Sequence, residues 1–237
     1  MVFILGSITA LATGLGAVPF AFVRDLSPRV VAWASAAAAG LMLGASFGLF
    51  TEGSAYGSLQ TFIGAGAGVL FISLSHRMLH GANVSFGDIR GADARKIFLI
   101  VAVMTVHSFT EGVAVGVTFG GGEKLAALIT IAIAVHNIPE GLAISAVMRP
   151  KGAGVLSCAL WSIFSSVPQP IMAVPAFLFV ETFRPFLPYG LGFSAGAMVF
   201  MVFLELLPES YENAGRPSVG LIVSLTLGMM VLFQRYL

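Results

Sequence analysis

Charged residues are scarce in this chain. Of its 237 positions only 10% are Asp, Glu, Lys or Arg, against about 25% in a typical soluble domain, and a soluble globular fold is excluded on that ground. Twelve basic and eleven acidic residues nearly cancel to +1, so net charge gives no reason to expect a nucleic-acid partner. Cysteine is scarcer still: Cys158 alone permits no internal disulfide, and four histidines without a Cys-x-x-Cys offer no thiolate metal cluster. No basic segment precedes the first apolar run and no small-residue cleavage site followed by a polar chain closes it, so that run is read as a retained span rather than a removed signal.

Apolar sequence fills the space that charge leaves. Hydrophobic residues make up 57% of the chain and mean hydropathy is +0.96. A helix needs about 20 apolar residues to cross a hydrocarbon core of about 30 Å. Segments of that length fall at 2–23, 30–50, 58–79, 96–119, 125–148, 155–180, 187–207 and 219–234. The expectation is an all-α integral membrane protein, a single transmembrane domain over 1–237 with eight spans. Ser, Thr, Gly and Pro interrupt the second, third and sixth enough to keep a seven-span count open. The longest polar connector is 80–95.

Orientation follows from the basic residues. Nine of the twelve, including Arg24, Arg29, Arg77, Arg90, Arg95, Lys96, Arg149, Lys151 and Arg216, fall on one side of this topology, and Lys124, Arg184 and Arg235 on the other. The positive-inside rule then makes the 80–95 connector cytoplasmic and puts both termini on the non-cytoplasmic face.

The chain also repeats itself. VHSFTEGVAVGV from Val106 aligns with VHNIPEGLAISAV from Val135, matching His107 to His136, Glu111 to Glu140 and Gly112 to Gly141. Adjacent spans run in opposite directions, so this is the trace an inverted repeat would leave. A second echo pairs Ala39-Gly40-Leu41-Met42 with Ala195-Gly196-Ala197-Met198, each followed by a glutamate near its helix end, Glu52 and Glu209.

A carboxylate within the bilayer is costly and needs a compensating role. Glu111 and Glu140 sit near mid-span, each with a histidine four residues earlier. That spacing puts His107 and His136 on the same helix faces as their glutamates. Two such faces meeting would offer imidazole nitrogens and carboxylate oxygens to a borderline divalent cation, Zn²⁺ foremost, with Fe²⁺ or Mn²⁺ chemically acceptable. Pro139 frees a backbone carbonyl beside His136. Asn137 borders the same arc, and Ser108 holds the corresponding place in the fourth span as a weaker ligand.

HNIPEG in the fifth span resembles the signature of the ZIP (Zrt/Irt-like protein) family of divalent metal transporters, and HSFTEG in the fourth resembles its companion motif. Residues 39–52 resemble that family's second helix, SVPQPIMAVPA from Ser166 its sixth, and FSAGAMVFMVFLELLPES from Phe193 its seventh. The resemblance implies a ZIP-type bundle that moves divalent metal toward the cytoplasm by alternating access, a block of helices including the fourth and fifth shifting against the rest. It implies a two-metal or one-plus-accessory-metal site with His107, Glu111, His136 and Glu140 as principal ligands, Asn137 as a secondary one, and the two glutamates bridging. Ser108 and Thr110 stand where the family often has Asn and Pro, and Gln169-Pro170 where it commonly has Glu-Pro. A less electronegative site with altered cation choice is expected from these departures.

Further pathway candidates are Met42, Glu52, Glu205 and Glu209, together with His76 and His80, an i, i+4 pair where metal could be handed to the cytoplasm. Glu205 has no obvious basic partner in the sequence. The partners expected are metal cations and the lipid bilayer, with no nucleic acid. The GAGAG run from Gly64 allows close packing within the protomer or between two copies in a homodimer. The reaction expected is transport rather than enzymic. An intramembrane zinc hydrolase would use the same cluster to activate water, but HExxH is missing. A metal sensor without transport would bind the cation and pass none.

Overall fold

The computed structural model describes residues 1–22, 27–79, 85–86, 89–90, 92–119 and 123–236. It is a bundle of apolar helices. We number them α1 (Val2–Phe22), α2 (28–56), α3 (58–79), α4 (Ala92–Phe119), α5 (Glu123–Met148), α6 (Val155–Leu178), α7 (Arg184–Asn213) and α8 (Arg216–Tyr236). Helices α2 and α3 share one continuous stretch, Pro28–Leu79, divided where Gly57 takes extended backbone at φ 168° and ψ 105°. In the 80–95 connector, Ser85–Phe86 pairs antiparallel with Ile89–Arg90, and α4 begins at Ala92 rather than at the expected Lys96. Among the described residues, six stretches are long and apolar enough to cross a membrane, the whole of Pro28–Met78 counting as one. The chain is a multi-pass integral membrane protein, and its outer surface agrees. Phe62, Leu156 and Leu225 are 73%, 72% and 63% exposed, an apolar exterior suited to lipid and unsuited to water.

Among the described residues, three helices are broken within their length, each at an identifiable place. In α1 a 3₁₀ turn at Gly14–Ala17 precedes Pro19, whose ring cannot continue the hydrogen-bond ladder. In α6 Val155–Ser166 gives way to Pro168–Leu178, so Gln169 falls in the first turn after the break. In α7 the turn Val202–Leu206 is π-helical and carries Glu205, a feature that often accompanies polar sites.

Glycines decide which helices touch most closely. Gly16 of α1 and Gly141 of α5 face each other so tightly that a Cβ on Gly141 would overlap the Thr13 carbonyl, and one on Gly16 would overlap the backbone of Gly141 and Leu142. Gly112 of α4 lies against the backbone of Gln169 in α6. These contacts group α1, α4, α5 and α6. A second group forms as Gly40 and Gly44 of α2 receive Val223, Thr226 and Met230 of α8, while Gly64 and Gly68 of α3 press on Tyr189 and Phe193 of α7. The GAGAG run is thus used within the chain at Gly64 and Gly68; a Cβ on Gly66 would meet nothing within 4 Å among the described residues. Between the groups lies an apolar core that includes Met104, Ile144, Met198 and Leu206. Met42 belongs to this core and is fully buried.

Candidate metal centre

In each of α4 and α5 a glutamate precedes the glycine that lets its helix approach a neighbour. The Glu-Gly pairs, Glu111-Gly112 and Glu140-Gly141, therefore carry the carboxylates into the closest-packed part of the first group. His107, Glu111 and Glu140 converge there. His107 Nε2 lies 2.8 Å from Glu140 Oε1 and 3.3 Å from Glu111 Oε1, and one ligand atom from each of the three falls within 4.8 Å of the others. The exposures are 1%, 2% and 1%. An imidazole nitrogen and two carboxylates at this spacing are a donor set for a borderline divalent cation.

Around this triad runs a chain of amide hydrogen bonds. Gln169 Nε2 donates to Glu111 Oε2. Asn137 Nδ2 donates to Gln169 Oε1 at 3.0 Å and to the Thr9 carbonyl at 2.8 Å. All four helices of the first group thus contribute. Asn137 Oδ1 and the Ser108 hydroxyl are buried and accept or donate no hydrogen bond among the described residues, which leaves each oxygen free to act as a neutral ligand. Below this layer, Thr13 and Ser166 share a 2.7 Å hydrogen bond between α1 and α6.

Most of the sequence candidates fall in two places. His107, Glu111, Asn137, Glu140 and Gln169 lie together, with Ser108 one residue from His107. His136 sits on α5 but its side chain lies outside the described residues, as does all of His80. A second cluster joins α3, α4 and α7: Lys96 Nζ stands 2.6 Å from Glu209 Oε2 and 3.7 Å from Glu205 Oε2, and His76 Nε2 is 3.7 Å from Glu205 Oε1. The expectation that Glu205 lacks a basic partner is therefore corrected. Lys96, more than 100 positions away in sequence, becomes its neighbour only through packing. Glu52 is half-buried, and Met42 contributes to the apolar core as described above.

Sequence reasoning missed Thr9. Its signal was present in a face of small and polar residues on α1, Gly6, Thr9, Thr13 and Gly16, recurring at three- and four-residue steps.

The site can be set beside known proteins. Residues 75–234 match the family described as ZIP Zinc transporter. A provisionally named zinc transporter of Arabidopsis thaliana is 47% identical over 93% of this chain, which spans only 36% of that protein's length. The zinc transporter GufA of Myxococcus xanthus is 29% identical over 85% of both chains. The zinc transporter ZIPB of Bordetella bronchiseptica is 29% identical over 93% of this chain and 76% of its own. With the family matched over well over half its length and the His/Glu triad in place, the chain belongs to the ZIP zinc transporter family, a family of transporters and not of enzymes.

Proposed function

We propose that this protein carries zinc across a membrane toward the cytoplasm, binding it in transit at His107, Glu111, Glu140 and Asn137. The observation that carries the reading is the burial of His107 Nε2 against carboxylates from two different helices, at 2.8 and 3.3 Å. Cation loading sets a divalent ion between them in place of any proton these groups hold, since imidazole and carboxylate bind metal in their deprotonated forms. Two carboxylates then neutralise the ion's charge, and a neutral assembly is far cheaper to hold at the bilayer midplane than a bare cation.

Every ligand proposed belongs to the group α1, α4, α5 and α6, while α2, α3, α7 and α8 pack with one another. The first group is accordingly the mobile block, rocking or sliding against the second to expose the site to each side in turn. We infer eight crossings. Pro28–Leu79 has 52 residues, about 78 Å at 1.5 Å per residue, and the break at Gly57 divides it into two spans. Helix α5, with 26 residues, supplies another. The related motifs on antiparallel α4 and α5 make the site pseudo-symmetric, His136 being the counterpart of His107. Iron and manganese are competing cargoes that this ligand set also accepts.

Zinc uptake into proteoliposomes tests the assignment. Wild-type protein is expected to accumulate zinc, and Glu140→Ala and His107→Ala to abolish it. Undiminished uptake by both variants overturns the reading.

A further inference from the structure

We propose that Gln169 limits the centre to a single cation, by holding an amide N–H against the Glu111 oxygen that a second cation would need. The inference rests on the reading of His107, Glu111 and Glu140 as the cation ligands, and it departs from the two-metal or one-plus-accessory-metal arrangement that the family resemblance implies.

Gln169 is fully buried and both ends of its side chain are engaged. Its nitrogen donates to Glu111 Oε2 and its oxygen accepts from Asn137. The other Asn137 hydrogen goes to the Thr9 carbonyl, a group that can only accept. This fixes the direction of the whole chain. Reversing the Gln169 amide would set its carbonyl against a carboxylate and its NH₂ against the Asn137 NH₂, leaving two buried clashes of like polarity. Glu111 is consequently divided between two tasks: Oε1 faces His107, and Oε2 is capped by Gln169. A cation bridging from the Gln169 side would have to break that bond and leave a buried amide unsatisfied.

Charge leads to the same limit. Glu111 and Glu140 together balance one divalent ion, and the further groups in the network, Asn137, Gln169 and the Thr9 carbonyl, are neutral. A second divalent ion would bring two uncompensated charges into a site whose side chains are 0–3% exposed, a placement the membrane interior opposes. Gln169 is thus a positioning residue: it orients Glu111 and Asn137 and excludes a neighbour, without itself binding the cargo. Glu in its place would remove the cap and add the missing negative charge.

The test counts retained zinc. Full-length protein in detergent is stripped with a chelator, loaded with Zn²⁺, desalted against a weak chelator and measured by elemental analysis. A His107→Ala/Glu140→Ala double variant supplies the background from other sites. Above that background, wild type is expected to hold one zinc per chain and Gln169→Glu two. Two zinc ions in wild type overturn the proposal whether or not any Gln169 variant folds. A folded Gln169→Glu protein that still holds one overturns it as well. Wild type no higher than background would remove the ligand assignment itself, and the inference with it; binding of one or two separates that failure from a failure of the cap alone.

Discussion

His107 lies closer to Glu140, on the neighbouring helix, than to Glu111, its own partner four residues on: 2.8 Å against 3.3 Å. The unit of the site is therefore the contact between α4 and α5 rather than either His-x-x-x-Glu turn alone. Removing Glu140 should cost more than spacing within one helix suggests. For Glu140→Gln, which keeps the shape and loses the charge, zinc affinity is expected to fall on the order of 100-fold or more, exceeding the 10- to 100-fold typical of groups that only support a ligand. Competition titration with a zinc indicator measures this. A loss below about tenfold would place Glu140 outside the ligand set.

The Gly141–Thr13 approach is the second expected point of failure. Gly141→Val would force a side chain into the α1 backbone, and overpacking of this kind costs about 1–3 kcal/mol or more where the obstacle is main chain. A clear drop in the unfolding temperature in detergent is expected, together with loss of zinc binding, because Glu140 is the adjacent residue. Gly220→Ala is the control: nothing lies within 4 Å of a Cβ there, and alanine favours helix by about 1 kcal/mol over glycine. Its thermal transition should stay level or rise. Equal destabilisation of the two variants would contradict the packing argument.

Much of this was legible in sequence, and the exceptions share a physical cause. Helix positions follow from apolar run length, which is a local property. The His107–Glu111 face follows from helical periodicity, also local, and the repeat pointed to α5 as the second face. What periodicity cannot give is the partner across a helix–helix contact. Lys96 and Glu209 are bonded at 2.6 Å, yet nothing in the sequence around either one names the other. Gln169 illustrates the same limit differently. In the sequence it reads as a weakened ligand; in the fold it is a hydrogen-bond donor to Glu111. The difference lies in which end of its amide faces Glu111, and that is decided by Asn137 and Thr9 on two other helices.

Acid should slow uptake in the absence of a proton gradient. Metal binding at His107, Glu111 and Glu140 requires unprotonated nitrogen and ionised oxygens, so protons compete for the same atoms and the sign is fixed: lower pH, weaker binding. Initial zinc uptake rates at equal pH on both sides should decline as pH is taken from about 7.5 to about 5.5, with the apparent KM for zinc rising as pH falls. A rate that climbs toward acid under these conditions would mean that proton binding to the empty carrier, rather than competition with zinc at the site, limits turnover.

The orientation can be settled with the chain's own cysteine removed. Cys158 is fully buried and is the sole cysteine, so Cys158→Ser should give a quiet background for labelling, at a small packing cost. Nine of twelve basic residues lie on one side of the expected topology, so the termini are expected on the opposite, non-cytoplasmic face. Single cysteines introduced at Met1, which is 70% exposed, and at Ser218, near the start of α8, should therefore react oppositely with a membrane-impermeant maleimide applied to intact cells. The terminal position should be labelled and the α7–α8 connection protected until the membrane is opened. Labelling of position 218 with protection of position 1 would reverse the topology. Zinc taken up on the face of the termini and released toward the basic connectors would then leave the cytoplasm, and the transport proposed here would run outward.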